Sequence, residues 1–332
     1  MVVRAHHLDS AKFVLVLLVV IGHLLEQVRQ MSPVAGAAYR FIYMIHIPAL
    51  VFISGMVARP SFDARQGKRW LAVLVLPYLV FQGIYLYVDA LWMGKPFGYG
   101  VAQPYWLLWY LFSLATWRLL LPALLALGRP LLVAIGVALV AGCIKDVGYQ
   151  FSFSRTLGFL PFFVAGYLYG ERITRAGPRL LALVAMVGLG FLAWQLRGLS
   201  PHWFYMTMPY SMLDAGPLTG MLTRGGLLMA GMAGAWSIIR LMPAAAGWLS
   251  RLGAYSLGIY LLHGLVVRFA ISRNWFALAN GADAWVLVSG SVVLGVLLGL
   301  CASLVAHWLK PLLSYEWLWD IGRKRNAAPA DA

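Results

Sequence analysis

Charge is what this sequence has least of. Only 11% of its 332 residues are Asp, Glu, Lys or Arg, where a soluble domain has about 25%. With 62% hydrophobic residues, too few polar side chains remain to cover a water-soluble globule, which excludes that class. Cysteine is nearly missing. Cys143 and Cys301 both lie in apolar runs, which leaves no disulfide framework or metal-ligand spacing and predicts buried, inert thiols. No metal site is expected. Acidic residues are scarce as well, 11 against 26 basic ones, for a net charge of +15. A nucleic-acid-binding protein would gather such an excess into one stripe. Here it is broken into short clusters between apolar runs, so nucleic acid is not an expected partner. Clusters of this kind set orientation in a bilayer and attract anionic headgroups or phosphorylated ligands.

What the chain does have is apolar runs of bilayer length. They predict an all-α, polytopic integral membrane protein with about ten transmembrane helices, near 13–28, 41–58, 70–92, 105–127, 130–144, 156–170, 180–196, 218–239, 252–270 and 285–308. With the N-terminus in the cytoplasm most Lys and Arg residues fall on the inner side, as the positive-inside rule requires, and both termini are cytoplasmic. The first run, followed by Ala35, Gly36 and Ala37, superficially resembles a cleavable signal. Charged Glu26 and Arg29 intervene and His23 occupies its core, so the helix is expected to stay. The segment 197–217, rich in Pro, Trp and Tyr, reads as an outer lid or re-entrant loop.

Ionisable groups inside spans are costly and each is a functional candidate. Lys12 and His23 stand eleven residues apart, three helical turns plus roughly 20° and about 16 Å along the axis. Asp9 and Glu26, each three residues away, extend that face into a polar track. A simple interfacial ion pair is the other reading of Asp9 and Lys12. On the second span His46 precedes Pro48, whose missing N–H frees the carbonyl of Met44 and predicts a kink. His46 then either stabilises the kink by a hydrogen bond or positions a substrate, and its depth predicts that it meets His23. Ser54 and Gly55 suit close helix packing. After this span come Arg59, Arg65, Lys68 and Arg69, a cytoplasmic cluster suited to phosphate oxygens. Topology alone explains such a cluster equally well. His263 and Tyr260 share a face of the ninth span. Arg155 and Arg268 lie near outer helix ends and predict snorkelling, and Trp106 and Trp109 an aromatic belt.

The run Asp9-x-x-Lys12 leading to VIGH (20–23) resembles the first helix of the acyltransferase-three family of integral membrane acyltransferases, especially its fucose 4-O-acetylase-like branch. IHIPALVFISGM (45–56), LVLPYLVF (74–81), WLLWYLFSL (106–114), GFLPFFVAGYLYG (158–170) and LGAYSLGIYLLH (252–263) are similar to that family's later motifs, in the same order. The resemblance implies one transmembrane acyltransferase domain over 1–322, with 323–332 as a cytoplasmic tail, in the inner cell membrane. It implies transfer of an acyl group, usually acetyl, from acyl-CoA as donor substrate to a carbohydrate or glycolipid acceptor of the envelope, with no other cofactor. His23 is then the essential histidine and general base, oriented by Glu26. His46, Arg155, Lys12 and Asp9 become candidate substrate-binding residues. Arg65, Lys68 and Arg69 become candidate ligands of the CoA phosphates. Many members carry Arg where this chain has Lys12, which keeps the charge and loses forked hydrogen bonding. The alternative is a secondary transporter or flippase of a glycolipid or sugar, since buried ionisable residues and kinked helices also mark transport routes. No matching halves in the hydropathy support it.

Overall fold

A computed structural model describes residues 6–94, 100, 102–145 and 150–318. Among them there are helices and no strand, the all-α polytopic membrane protein that the apolar runs predict. The principal helices are α1 (His6–Val28), α2 (Pro33–Met56), α3 (Ala64–Met93), α4 (Trp106–Leu125), α5 (Pro130–Ala141), α6 (Phe153–Arg175), α7 (Arg179–Gly198), α8 (Pro217–Leu241), α9 (Trp248–Ser272) and α10 (Ala284–Trp308). Seven of these, α1, α2, α3, α4, α7, α9 and α10, are long and apolar enough to cross a membrane. Helix α5 has 12 residues, about 18 Å of rise against a hydrocarbon core of about 30 Å. The expected tail at 323–332 lies outside the described residues.

Helices α1 and α2 begin well before their apolar runs. Helix α1 starts at His6, so Asp9 and Lys12 belong to it. Ser32 caps α2 by accepting from the Val34 N–H at 3.2 Å, and Pro33 occupies the first turn, where its missing N–H costs nothing. Arg40 is therefore helical and donates to the carbonyl of Leu199 at 3.0 Å. In α3 a π-helical turn, Leu71–Val75, sends the Leu76 N–H back to the Leu71 carbonyl. The extra residue falls just ahead of Pro77, which has no N–H to continue the α ladder.

Helix α2 is the centre of the bundle, packed against α1, α6, α7 and α8, while α1 also packs on α9 and α10. The tightest approach is between α2 and α6. A Cβ on Gly55 would stand 2.0 Å from the Phe163 carbonyl oxygen, and one on Gly166 would stand 2.0 Å from that of Phe52. Only hydrogen fits at either place, which is how packing in lipid brings backbones together. Ser54, the neighbour of Gly55, bonds to the Tyr110 hydroxyl at 2.9 Å.

Helices α7 and α10 form part of the outside. Leu180, Val184, Val187 and Phe191 are exposed along α7, and Val293, Leu297 and Leu304 along α10, a surface whose solvent is lipid tails. This overturns one expectation. Cys301 is on that outer face, and Cys143 is also exposed, just past α5. An apolar run makes a thiol lipid-soluble without making it buried.

Candidate active site

Helices α1, α3 and α9 finish, and α2, α4 and α6 begin, at one end of the bundle, and there the structure opens a cavity of about 550 Å³. Its wall carries His23, Glu26, His46 and Arg155, so four of the residues singled out in the sequence meet in one space. His23 Nδ1 lies 3.1 Å from Glu26 Oε2, and the Tyr43 hydroxyl approaches the same nitrogen at 3.4 Å. A carboxylate accepts only, so Nδ1 carries a proton, and in the neutral ring Nε2 is the acceptor. The His23 side chain is 12% exposed.

The expected polar track along α1 breaks into two pairs. Lys12 Nζ bonds Asp9 Oδ1 at 2.6 Å, three turns below the His23–Glu26 pair, and Leu15, Val16 and Val19 are buried between them. Neither Asp9 nor Lys12 lines the cavity. His46 does line it, 2% exposed. Its Nδ1 lies 2.6 Å from the Ile42 carbonyl, one turn back, rather than bonding the Met44 carbonyl that Pro48 frees. The ring is thereby fixed with Nε2 as its acceptor.

His46 does not meet His23. Tyr43 is a ring neighbour of both, its centroid 4.7 Å from His46 and 6.4 Å from His23. The imidazole beside His23 is His263, stacked at 5.5 Å. Trp106 packs on His23 at 4.5 Å and holds φ at 33°, a left-handed conformation costly for a bulky residue and found mostly where function fixes a side chain. Trp106 and Trp109 are thus cavity walls rather than an aromatic belt.

The two outer arginines do not snorkel. Arg155 lies over the Trp109 ring at 5.1 Å. Arg268 grips Asp89 with two bonds, Nε to Oδ1 at 2.9 Å and a terminal nitrogen to Oδ2 at 2.6 Å, and the Tyr105 hydroxyl donates to the same carboxylate. Sequence reading passed over Asp89 altogether. Its position in the last turns of an apolar run, like Arg268 in another, was the signal that could have found the pair. The segment 197–217, expected as an outer lid or a re-entrant loop, places His202, Phe204 and Tyr205 on the cavity wall.

Arg65, Lys68 and Arg69 stand at the start of α3, away from the cavity. Arg69 reaches Glu316 at 3.3 Å. From Arg69 to Asp89 the helix rises about 30 Å. Among the described residues no group of His, Cys, Asp and Glu is placed to hold a metal ion.

The family model described as an acyltransferase domain matches residues 6–308, which takes in every helix of the bundle and the whole cavity. The chain belongs to the acyltransferase-3 family. It is therefore a multi-pass membrane acyltransferase. No curated protein and no solved structure matches the chain. As an acyltransferase it acts on an acyl donor and an acceptor.

Proposed function

We propose that this acyltransferase moves an acyl group, tested first as acetyl from acetyl-CoA, onto a hydroxyl of an envelope carbohydrate or glycolipid, with His23 as general base. The observation that carries this reading is the His23–Glu26 pair on the cavity wall. Glu26 holds the Nδ1 proton, so Nε2 takes the proton of the acceptor hydroxyl while that oxygen attacks the thioester carbonyl. The new C–O bond forms, the C–S bond breaks, and the departing thiolate recovers the proton from His23. His46, whose free nitrogen is an acceptor, suits a sugar hydroxyl. Arg155, a donor, suits the oxyanion of the tetrahedral intermediate.

The cavity end faces outward in this reading and the opposite end faces the cytoplasm of an inner-membrane protein with both termini inside. Arg65, Lys68 and Arg69 then take the CoA phosphates at the cytoplasmic end, with Lys12 and Asp9 near the donor's path. The fucose 4-O-acetylase-like branch is the subgroup whose acceptors are tried first.

The test is release of free CoA by the purified protein in nanodiscs supplied with acetyl-CoA and candidate glycans. His23→Ala should cost about 10²–10⁴ in turnover while leaving the protein inserted. Glu26→Gln should cost less, because the base survives and only its tautomer is loosened. Full turnover in His23→Ala removes this mechanism.

A further inference from the structure

Three arginines within the bundle find acceptors. Arg40 bonds the Leu199 carbonyl, Arg224 the carbonyls of Ala138 and Met208, and Arg268 the Asp89 carboxylate. Arg118 breaks this pattern. It stands on α4 seven residues before the helix ends, about 10 Å from the end of the bundle opposite the cavity. Among the described residues it makes no hydrogen bond and no ion pair, and its Nε is buried without a partner. Its electrostatic neighbours are Tyr110, back along its own helix, and Arg69 of α3, with no carboxylate among them. Glu316 is the one offset to this pair of cations. It meets Arg69 alone, at 3.3 Å, through side chains more than half exposed, where an ion pair contributes little.

The surroundings face lipid. Leu119 and Leu120, which follow Arg118, are exposed. Trp70, next to Arg69, donates its indole N–H to the Ala115 carbonyl at 3.0 Å, one turn before Arg118, and so fastens α3 to α4 where the two cations approach. An unpaired guanidinium inside a span is costly, and two held in reach of one another add repulsion. An anion between them would remove both costs.

We propose that Arg118 and Arg69 bind the phosphodiester of an anionic membrane lipid at the α3–α4 contact. Basic residues gathered between spanning helices suit such headgroups, and the two free phosphate oxygens match the guanidinium fork of Arg118. The lipid tails then lie along the exposed leucines of α4. This inference does not depend on the acyl-transfer reading. Arg69 also belongs to the cluster placed on the CoA phosphates, so a soluble phosphate ester is the competing source of the same chemistry. Arg118, set within a span and followed by lipid-facing leucines, favours the lipid.

The experiment is native mass spectrometry of the full chain in neutral detergent, titrated with dioleoyl phosphatidylglycerol and with dioleoyl phosphatidylcholine. One phosphatidylglycerol should be retained at least about tenfold more tightly than phosphatidylcholine. Arg118→Gln should erase most of that preference, and Arg118→Lys, which keeps the charge and loses the fork, should keep part of it. Arg69→Gln should weaken it as well. Arg251→Gln, an exposed cation at the same end of the bundle, should leave it unchanged, with thermal melts confirming that each variant is folded. His23→Ala should retain the lipid while losing acyl transfer, so the lipid site and the catalytic reading fail separately. Equal retention of the two lipids, or an Arg118→Gln variant that still prefers phosphatidylglycerol, overturns the proposal. An equal loss in Arg251→Gln would make the preference a matter of overall charge and overturn it. Displacement of the lipid by an equal concentration of CoA would assign the two arginines to the donor and overturn it too.

Discussion

His263 lies flat against His23, ring centroids 5.5 Å apart and planes 20° from parallel. Its Nδ1 is fixed by the Ile259 carbonyl at 3.0 Å, and its Nε2 is buried with no hydrogen-bond partner among the described residues. An orphaned acceptor costs about 1–3 kcal/mol. The ring face, which sets the plane of the His23 imidazole, is what that site uses. His263→Phe should therefore keep the stack, lose the orphan, raise the melting temperature and stay near wild-type turnover. His263→Ala should let the base swing, lowering kcat by about tenfold or more, since displacements near 1 Å already cost as much as about 10²-fold. CoA release at saturating donor reads both. A Phe variant as poor as Ala would mean that the nitrogen, not the ring face, is needed.

The Asp89–Arg268 pair makes a second, structural claim. The side chains are 8% and 15% exposed, so either partner alone would be a buried charge without its counter-charge. Asp89→Ala should lower stability by about 3–5 kcal/mol, whereas Asp89→Leu combined with Arg268→Met should recover most of it. Thermal unfolding in a fixed detergent compares the three. If the double variant is no better than Asp89→Ala, the pair does more than neutralise itself.

Apolar periodicity was enough to read ten helical positions, because lipid permits few other spanning structures. It did not reach the helix ends that extend past their apolar runs, as at His6 and Pro33, and it gave a spanning length to α5, which has 12 residues. In the site, His23 and Glu26 were legible because i,i+3 spacing on one helix fixes their meeting. His263, Trp106 and Asp89 were not, because their importance comes from α9, α4 and α3 converging at one end, which no local spacing encodes. His46 was placed at the right depth, on the wall of the same cavity, but the ring it packs against is Tyr43, one turn back on α2.

The crossing of α2 and α6 turns on Gly55 and Gly166. Gly166→Ala would put a methyl group against the Phe52 backbone carbonyl, and backbone cannot turn aside as a side chain can. The helices must part, with a cost of about 1–3 kcal/mol for overpacking as a lower bound and a sharp loss of folded yield. Gly226→Ala in α8, where nothing lies within 4 Å of an added Cβ, should be neutral or stabilising by up to about 1 kcal/mol from helix propensity. Yield and monodispersity after purification separate the two, and equal yields would remove the close-packing claim.

Acidification should loosen the lid through His202. Its folded-state pKa lies below the ordinary 6.5, through burial and then the Arg29 and Arg155 charges, with Glu26 pulling the other way. Above about pH 6.5 the ring is neutral folded or unfolded, and its contribution to stability is complete. As pH falls from there towards the lowered folded value, the unfolded chain takes a proton that the folded site resists, so stability declines. His202 begins the short helix His202–Tyr205, whose Tyr205 bonds Tyr39 of α2, so the strain arises where the lid is fastened. The wild-type melting temperature should drop between about pH 6.5 and 5, and His202→Gln, which cannot gain the charge, should show a shallower slope. Parallel slopes would place the acid sensitivity elsewhere, because no other change in that variant touches a titrating group of the lid.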